Sequence, residues 1–417
     1  MNASSKTPLR LVMLLCTAEA LAMAGFGSYP ALLPTLQLEW TMNGREAGLV
    51  SGAFFLGYML SVPFLSGWTD RMDARLVFAV SSLLAAAASV SFGFFATGLY
   101  SGMAFQAIAG AGLAGTYMPG LKALTDRVHG PQQPRYISFY TATFGIGASG
   151  SLLLAGWLAN AFNWQTAFVL LGVFPVLACV LVLKGLQPCP VAKPIAHQGW
   201  GWGRVWSQPV MRQYIIGYAV HCWELLGMRS WQVAFFSFAF AASASQAWLN
   251  PTEAAALLNL LGLPASILGN EVAMRWGRQR WIAVVMLASG LLAWLAGASV
   301  MWPWFITLGL TCLYNVVIMA DSASLTAGLV AHSDSQQRGT AMALYSMAGF
   351  GAGFVAPVVF GAVLDLSGGQ QQATSWMLAT GSLSLGCLFW GCDWCAPYNP
   401  KHAAVVQWIE RAPPKRS

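Results

Sequence analysis

Twelve apolar segments follow one another through the chain. They lie near residues 9–33, 47–65, 76–95, 100–124, 136–162, 166–183, 213–242, 254–273, 281–301, 304–331, 340–366 and 373–392. Each is about long enough for a helix to cross a bilayer, which takes roughly 20 apolar residues at 1.5 Å rise each. The composition agrees. The chain is 57% hydrophobic and 8% charged, whereas soluble domains carry about 25% charged residues. A soluble fold so poor in charge could not cover its own surface. Lipid is then the solvent, and in lipid each backbone polar group must be satisfied within the chain, as in a helix. The expected class is an all-α integral membrane protein with 12 transmembrane helices.

The joint between the second and third segments is informative. Residues 66–75 read Ser-Gly-Trp-Thr-Asp-Arg-Met-Asp-Ala-Arg, placing Asp70, Arg71, Asp73 and Arg75 together at one membrane face. A related turn, from Asn270 to Arg280, again separates two apolar runs and carries Arg275, Gly277 and Arg278. A charged turn repeated at the same place in two halves indicates a duplicated transporter. The stretch 187–209 differs from its surroundings. It is rich in Pro and Trp, holds Lys193, His197 and Arg204, and reads as a cytoplasmic linker. The expected organisation is therefore a six-helix half over 1–186, a linker over 187–209, a second six-helix half over 210–396 and a cytoplasmic tail over 397–417.

The first turn resembles the loop motif of the major facilitator superfamily, Gly-x-x-x-Asp-Arg-x-Gly-Arg-Arg. Asp70, Arg71 and Arg75 match, whereas Ser66, Asp73 and Ala74 depart from it. In the second turn Arg275, Gly277 and Arg278 match and Met274 replaces the Asp. The resemblance extends over the number, spacing and duplication of the helices, roughly residues 9–394. It implies two pseudo-symmetric six-helix bundles and secondary transport by alternating access. It also implies a gating role for Asp70, Arg71 and Arg75. Two further family features are absent. Gln106 stands where many members carry an Arg linked to proton coupling, and no Pro follows Gly145, Gly147 and Gly150 as it does in many drug antiporters.

Charge fixes the expected orientation. With the N-terminus inside, all of the 21 Lys and Arg except Arg45 and Arg229 fall on the inner side, as the positive-inside rule requires. Both termini are then cytoplasmic, in a bacterial inner membrane. The net charge of +7 is spread over short loops, so it does not point to nucleic acid. The first apolar run is too long for a signal-peptide core and is expected to be retained. The eight Cys are scattered, and Cys392-x-x-Cys395 has no second pair or His cluster beside it, so neither metal nor cofactor is expected. Trp157, Trp164, Trp302 and Trp304 flank outer loops as interfacial anchors. The Gly clusters at 110–115, 145–150 and 349–353 let helices approach closely.

Ionisable groups within the membrane default to function. Glu19 in the first segment and Glu224 in the seventh occupy matching places, Glu19-Ala-Leu-Ala-Met23 against Glu224-Leu-Leu-Gly-Met228. They are expected to face a central cavity from the two halves, with His221 one turn from Glu224. Arg229 either binds an anionic solute or neutralises one of these Glu residues. Gln106 and Asn315 are cavity candidates. Asp321, with Ser322 and Ser324, suggests an inner gate, and Arg338 lies near the partner region expected for Asp70. Lys122 and Asp126 lie near a helix end, where their heads reach the interface.

The chain carries no His-Glu-x-x-His, no Gly-x-Ser-x-Gly and no phosphate-binding loop, so no enzyme is expected. Its outer loops are short for a receptor or scaffold. The reading is a monomeric secondary transporter of a small organic solute, with protons as a candidate coupling ion. Within it, uptake of a polar or anionic solute, favoured by Arg229, Gln106 and Asn315, competes with efflux of amphipathic or cationic compounds, favoured by the Glu residues and the many aromatics.

Overall fold

The computed structural model describes residues 8–189, 202–334 and 337–395. Lys6, Lys193, His197, the tail 397–417 and the side chains of Cys392 and Cys395 lie outside the described residues. Those described form helices joined by short turns, with no strand.

Twelve long helices correspond to the twelve segments. The first half contains α1 (Pro8–Glu39), α2 (Gly44–Trp68), α3 (Ala74–Phe95), α4 (Leu99–Thr125), α5 (Gln133–Ala161) and α6 (Trp164–Gly185). The second contains α7 (Pro209–Ala242), α8 (Pro251–Trp276), α9 (Arg278–Met301), α10 (Trp304–His332), α11 (Arg338–Leu366) and α12 (Ala373–Cys395). A five-residue helix, Trp202–Trp206, precedes α7. Among the described residues, nine of these helices meet a strict criterion of length and apolarity for crossing a membrane. The other three, α4, α7 and α12, are 27, 34 and 23 residues long. Their Gly, Ser, Thr and charged residues lower the hydropathy without shortening the helix.

Successive crossings place the α1–α2, α3–α4, α5–α6, α7–α8, α9–α10 and α11–α12 joints at one end of the bundle, here called the Asn43 end. The charged turn lies at the opposite, Asp70 end. The duplication is visible in how the helices start. Asn43 caps α2 through a reciprocal pair of bonds with Glu46, and Asn250 caps α8 through the same pair with Glu253. Each box satisfies backbone donors that a helix start leaves unpaired.

The halves meet along α2 and α11, and along α5 and α8. On α2, Gly44, Gly48 and Gly52 form a stripe at helical spacing. A Cβ on any of them would collide with the carbonyl oxygen of Gly361, Pro357 or Phe354 on α11. Backbone therefore lies against backbone here, as small-xxx-small faces allow. Further toward the Asp70 end, Tyr58 and Phe350 stack at 3.8 Å between ring centres. On the other seam Gly156 meets Thr252 and Gly145 meets Leu263. At the Asn43 end, among the described residues, three hydrogen bonds cross between the halves. Asp365 accepts from the N–H groups of Gly44 and Arg45, both at 2.8 Å. Gln370 donates to Gln37 at 2.9 Å.

Several helices are broken. A 3₁₀ turn at Met23–Gly25 divides α1, Gly172 divides α6, and α10 breaks between Met319 and Ser322. At the last break the Ala320 carbonyl, freed from the helix, accepts from the Trp281 indole at 3.0 Å. Two of the four expected Trp anchors are instead packed inside. Trp164 is buried and donates to Glu39 at 2.6 Å, and Trp304 is buried among Phe240, Trp248 and Phe305. Trp157 and Trp302 are exposed. The Trp164 indole N–H, having found a protein acceptor, need not seek the lipid headgroups.

Candidate functional site

A cavity lies between the halves at mid-bundle. Its walls come from α1, α2, α4, α5, α7 and α8. The polar lining consists of Ser51, Gln106, Arg229, Ser230, Gln232 and Asn259, and the aromatic lining of Phe26, Tyr29, Phe54 and Phe55. Gln106 also faces a second cavity inside the first half. Each cavity has a volume of about 20 Å³, room for about one water-sized group.

Arg229 is 8% exposed and makes no ion pair among the described residues. One terminal nitrogen lies 4.0 Å from the Met319 sulfur, and its Nε has no acceptor. A buried cation without a counter-charge is destabilising. Tyr29 donates its hydroxyl to the Ala47 carbonyl, which leaves its ring as apolar wall.

The two Glu residues do not face this cavity. Glu19 is buried within the first half and accepts from the Tyr140 hydroxyl at 3.1 Å. Glu224 is buried within the second, accepting from Ser289 at 2.8 Å, Tyr314 at 3.0 Å and the Cys387 thiol at 3.0 Å. Both carboxylates found donors on neighbouring helices of their own half. Neither is paired with Arg229.

His221 lies one turn from Glu224 on α7 but has another partner. It pairs with Asp321 rather than Glu224, with Nδ1 2.7 Å from Oδ1 and both side chains buried. Asp321 sits at the break in α10, so the expected network with Ser322 and Ser324 is replaced by a His–Asp pair joining α7 to α10. Ser324 Oγ has no partner. Asn315 lies outside the cavity lining and donates to the Leu258 carbonyl, tying α10 to α8. Arg338 is exposed at the start of α11, and Asp70 and Arg71 are exposed in the charged turn. Among the described residues no group of three His, Cys, Asp or Glu could hold a metal ion.

The sequence model described as Major Facilitator Superfamily matches residues 15–357. This chain belongs to that superfamily. It is a multi-pass membrane transporter and not an enzyme.

Among relatives in the superfamily, the niacin transporter NiaP of Acinetobacter baylyi is 25% identical over 159 residues, 38% of this chain and 36% of that protein. An MFS-type transporter, YcaD, of Salmonella paratyphi A is 27% identical over 185 residues, 42% of this chain and 47% of that protein. The chain thus spans less than half the length of either relative. Solved superfamily folds superpose over nearly the whole chain. An inward-facing, unoccupied bacterial homologue of the human lysosomal transporter Spinster gives a TM-score of 0.78 at 14% identity, covering 99% of this chain and all of that one. The nucleoside transporter NupG, as its D323A mutant, gives 0.73 at 16% identity, covering 93% of this chain and all of that one.

In this member of the superfamily the charged turn is built around a residue that departs from the motif. Asp73, where the motif has Gly, caps α3 by accepting from the N–H of Arg75 at 3.0 Å. It also accepts two bonds from Arg127, at 2.8 and 2.9 Å, and one from the N–H of Cys189 at 2.8 Å. Arg75 donates to the Leu186 carbonyl at 2.9 Å, and Arg127 to that of Gln187. The turn therefore binds the ends of α4 and α6. Burial raises the Asp73 pKa, but Arg127 and the two backbone donors outweigh it and hold the carboxyl below its ordinary value. The signal was present in the sequence as an Asp just before the first helical residue, a helix-capping position.

Proposed function

We propose that this transporter takes up a small organic anion by alternating access, with Arg229 as the anion-binding group. The observation that carries this reading is the unpaired, buried Arg229 guanidinium in the wall of the cavity between the halves. Gln106, in the same lining, supplies hydrogen bonds. The likeness to a niacin transporter supports the class, since niacin is a small carboxylic acid. The competing reading, efflux of amphipathic cations, needs a carboxylate in the cavity, and the described lining holds none.

Uptake of an anion into a negatively charged interior works against the membrane potential, at about 2.3 kcal/mol per charge per 100 mV. Symport with at least one proton offsets this. Glu19, Glu224 and the His221–Asp321 pair are the buried groups able to carry it. In this reading the membrane is a bacterial inner membrane with both termini cytoplasmic, and the functional unit is a monomer. Its domains are 1–186 and 210–396, joined by the linker 187–209 and followed by the tail 397–417. Asp70, Arg71, Arg75 and Arg338 act at the inner gate. Asn315 orients α8 against α10 at the edge of the site.

The test is uptake of radiolabelled niacin and benzoate into proteoliposomes under an imposed inward proton gradient. Accumulation that collapses with the gradient and is lost in Arg229→Gln is the expected result. Wild-type protein that carries neither anion, or undiminished uptake by Arg229→Gln, would overturn the reading.

A further inference from the structure

The cavity between the halves presents two buried polar atoms without partners, and they are of opposite kind. Arg229 Nε is a donor without an acceptor, and Asn259 Oδ1 is an acceptor without a donor. Asn259 is 2% exposed. The orientation of its amide follows from its surroundings. Its nitrogen donates to the Ala255 carbonyl at 2.9 Å and approaches Gln232 Oε1 at 3.5 Å. A carbonyl can only accept, so the amide nitrogen must face Ala255 and the oxygen is left over. The same cavity is lined by aromatic rings. Phe26 meets Phe54 edge-on at 5.5 Å, and Phe54 meets Phe55 at 5.6 Å.

Buried polar groups are ordinarily paired, and an orphan signals a partner that the chain itself does not supply. Here a single solute would satisfy both orphans. It needs an anionic oxygen for Arg229, a hydrogen-bond donor for Asn259, and a planar ring to lie among Phe26, Phe54 and Phe55, since aromatic pairs favour edge-to-face and offset contacts. We propose that the transported solute is an aromatic carboxylate bearing a hydroxyl or N–H donor, with its carboxylate on Arg229 and its donor on Asn259 Oδ1. This rests on the anion reading above and adds to it the ring and the donor. Asn259 is then the residue that selects among aromatic acids, because a site built to accept a hydrogen bond discriminates against an analogue that cannot donate one.

The experiment is titration of the full-length purified protein with four acids and one neutral control: benzoate, the three hydroxybenzoate isomers and 3-hydroxybenzamide. At least one hydroxybenzoate should bind about tenfold more tightly than benzoate, the scale expected for satisfying one buried acceptor. The neutral amide should bind more weakly than any of the four acids. Asn259→Leu should close the gap between benzoate and the preferred isomer, and Arg229→Gln should remove binding of all the acids. Equal affinity for benzoate and every hydroxybenzoate in the wild-type protein would overturn the assignment of Asn259. If Arg229→Gln still abolished binding in that case, the anion reading would stand. Failure of the wild-type protein to bind any of the acids would overturn the aromatic class. Binding of acids unaffected by Arg229→Gln would overturn both inferences. The wild-type comparison needs no variant, so poor folding of Asn259→Leu would not protect the proposal.

Discussion

Asp365 and Gly44 are 321 residues apart in the chain and 2.8 Å apart in the fold. One belongs to the last turn of α11, the other to the first turn of α2, and they lie in opposite halves. With Asn43 taking the N–H of Glu46 and Asp365 taking those of Gly44 and Arg45, the first three amides of α2 are satisfied. A carboxylate at a helix N-terminus is favourable by about 0.3–1 kcal/mol at an exposed site. Closure at the Asn43 end therefore includes a contact that opening must break.

Asp365→Asn should shift the population toward an opening at this end by about two- to fivefold, the equivalent of that energy. Spin labels on the exposed positions Leu38 and Leu366, in a background lacking accessible cysteines, would report it as a gain in the longer distances. An unchanged distance distribution would show that the contact follows closure without favouring it.

Gly48→Ala tests the backbone seam. The added methyl would meet the Pro357 carbonyl, and overpacking of this kind costs typically about 1–3 kcal/mol. The expected phenotype is loss of turnover at normal expression, with solute binding retained in detergent. Normal turnover would mean that α2 and α11 shift freely past one another.

Asp73 gives a pH dependence. Its carboxyl is held below the usual range in the folded protein, after burial is offset by Arg127 and by the N–H groups of Cys189 and Arg75. A group with a depressed folded pKa stabilises fully above its unfolded value, about 3.9 for Asp. That contribution disappears as the pH falls through the folded value. Asp73→Ala should lower the melting temperature by several degrees at pH 7, and the gap to wild type should narrow in strongly acidic buffer. A gap that stays constant with pH would assign the loss to packing rather than charge.

Glu224→Gln tests proton coupling apart from binding. The three donors around Glu224, Ser289, Tyr314 and Cys387, lie within its own half. The substitution should therefore leave the central cavity intact. Gradient-driven accumulation should fall by tenfold or more and its pH dependence should flatten, while counterflow exchange continues. If Glu19→Gln and Glu224→Gln both accumulate solute as wild type does, the proton travels elsewhere, with His221–Asp321 the next candidate.

Much of the architecture was legible because it rests on composition and length. The twelve apolar runs match twelve helices, and the duplication could be read from a repeated charged turn. The Asn-x-x-Glu boxes at Asn43 and Asn250 and the Gly44, Gly48, Gly52 stripe were equally present in the sequence, though they are small signals within long apolar runs. The helix breaks were not legible. Hydropathy averages over a break, and a freed carbonyl such as that of Ala320 shows itself only once Trp281 is seen to accommodate it. Nor could the sequence assign partners to buried charges. Arg229 lies in the cavity wall, whereas Glu224, five residues earlier on the same helix, faces Ser289 and Tyr314. Which helix lies opposite each side chain depends on rotation about the axis, and a helix apolar on nearly every face carries little periodicity to fix that rotation.

The contacts that Asp73, Arg75 and Arg127 make with residues 186–189 also set how far the first half extends along the chain. Chain that is bound to the first half cannot move independently of it, so residues 186–189 travel with that half although they lie beyond the end of α6. Cutting the gene within 190–201 and expressing two separate fragments should therefore preserve assembly, since each fragment keeps its own anchoring contacts. A cut between Gly185 and Cys189 would strip the first fragment of the strand that its charged turn grips.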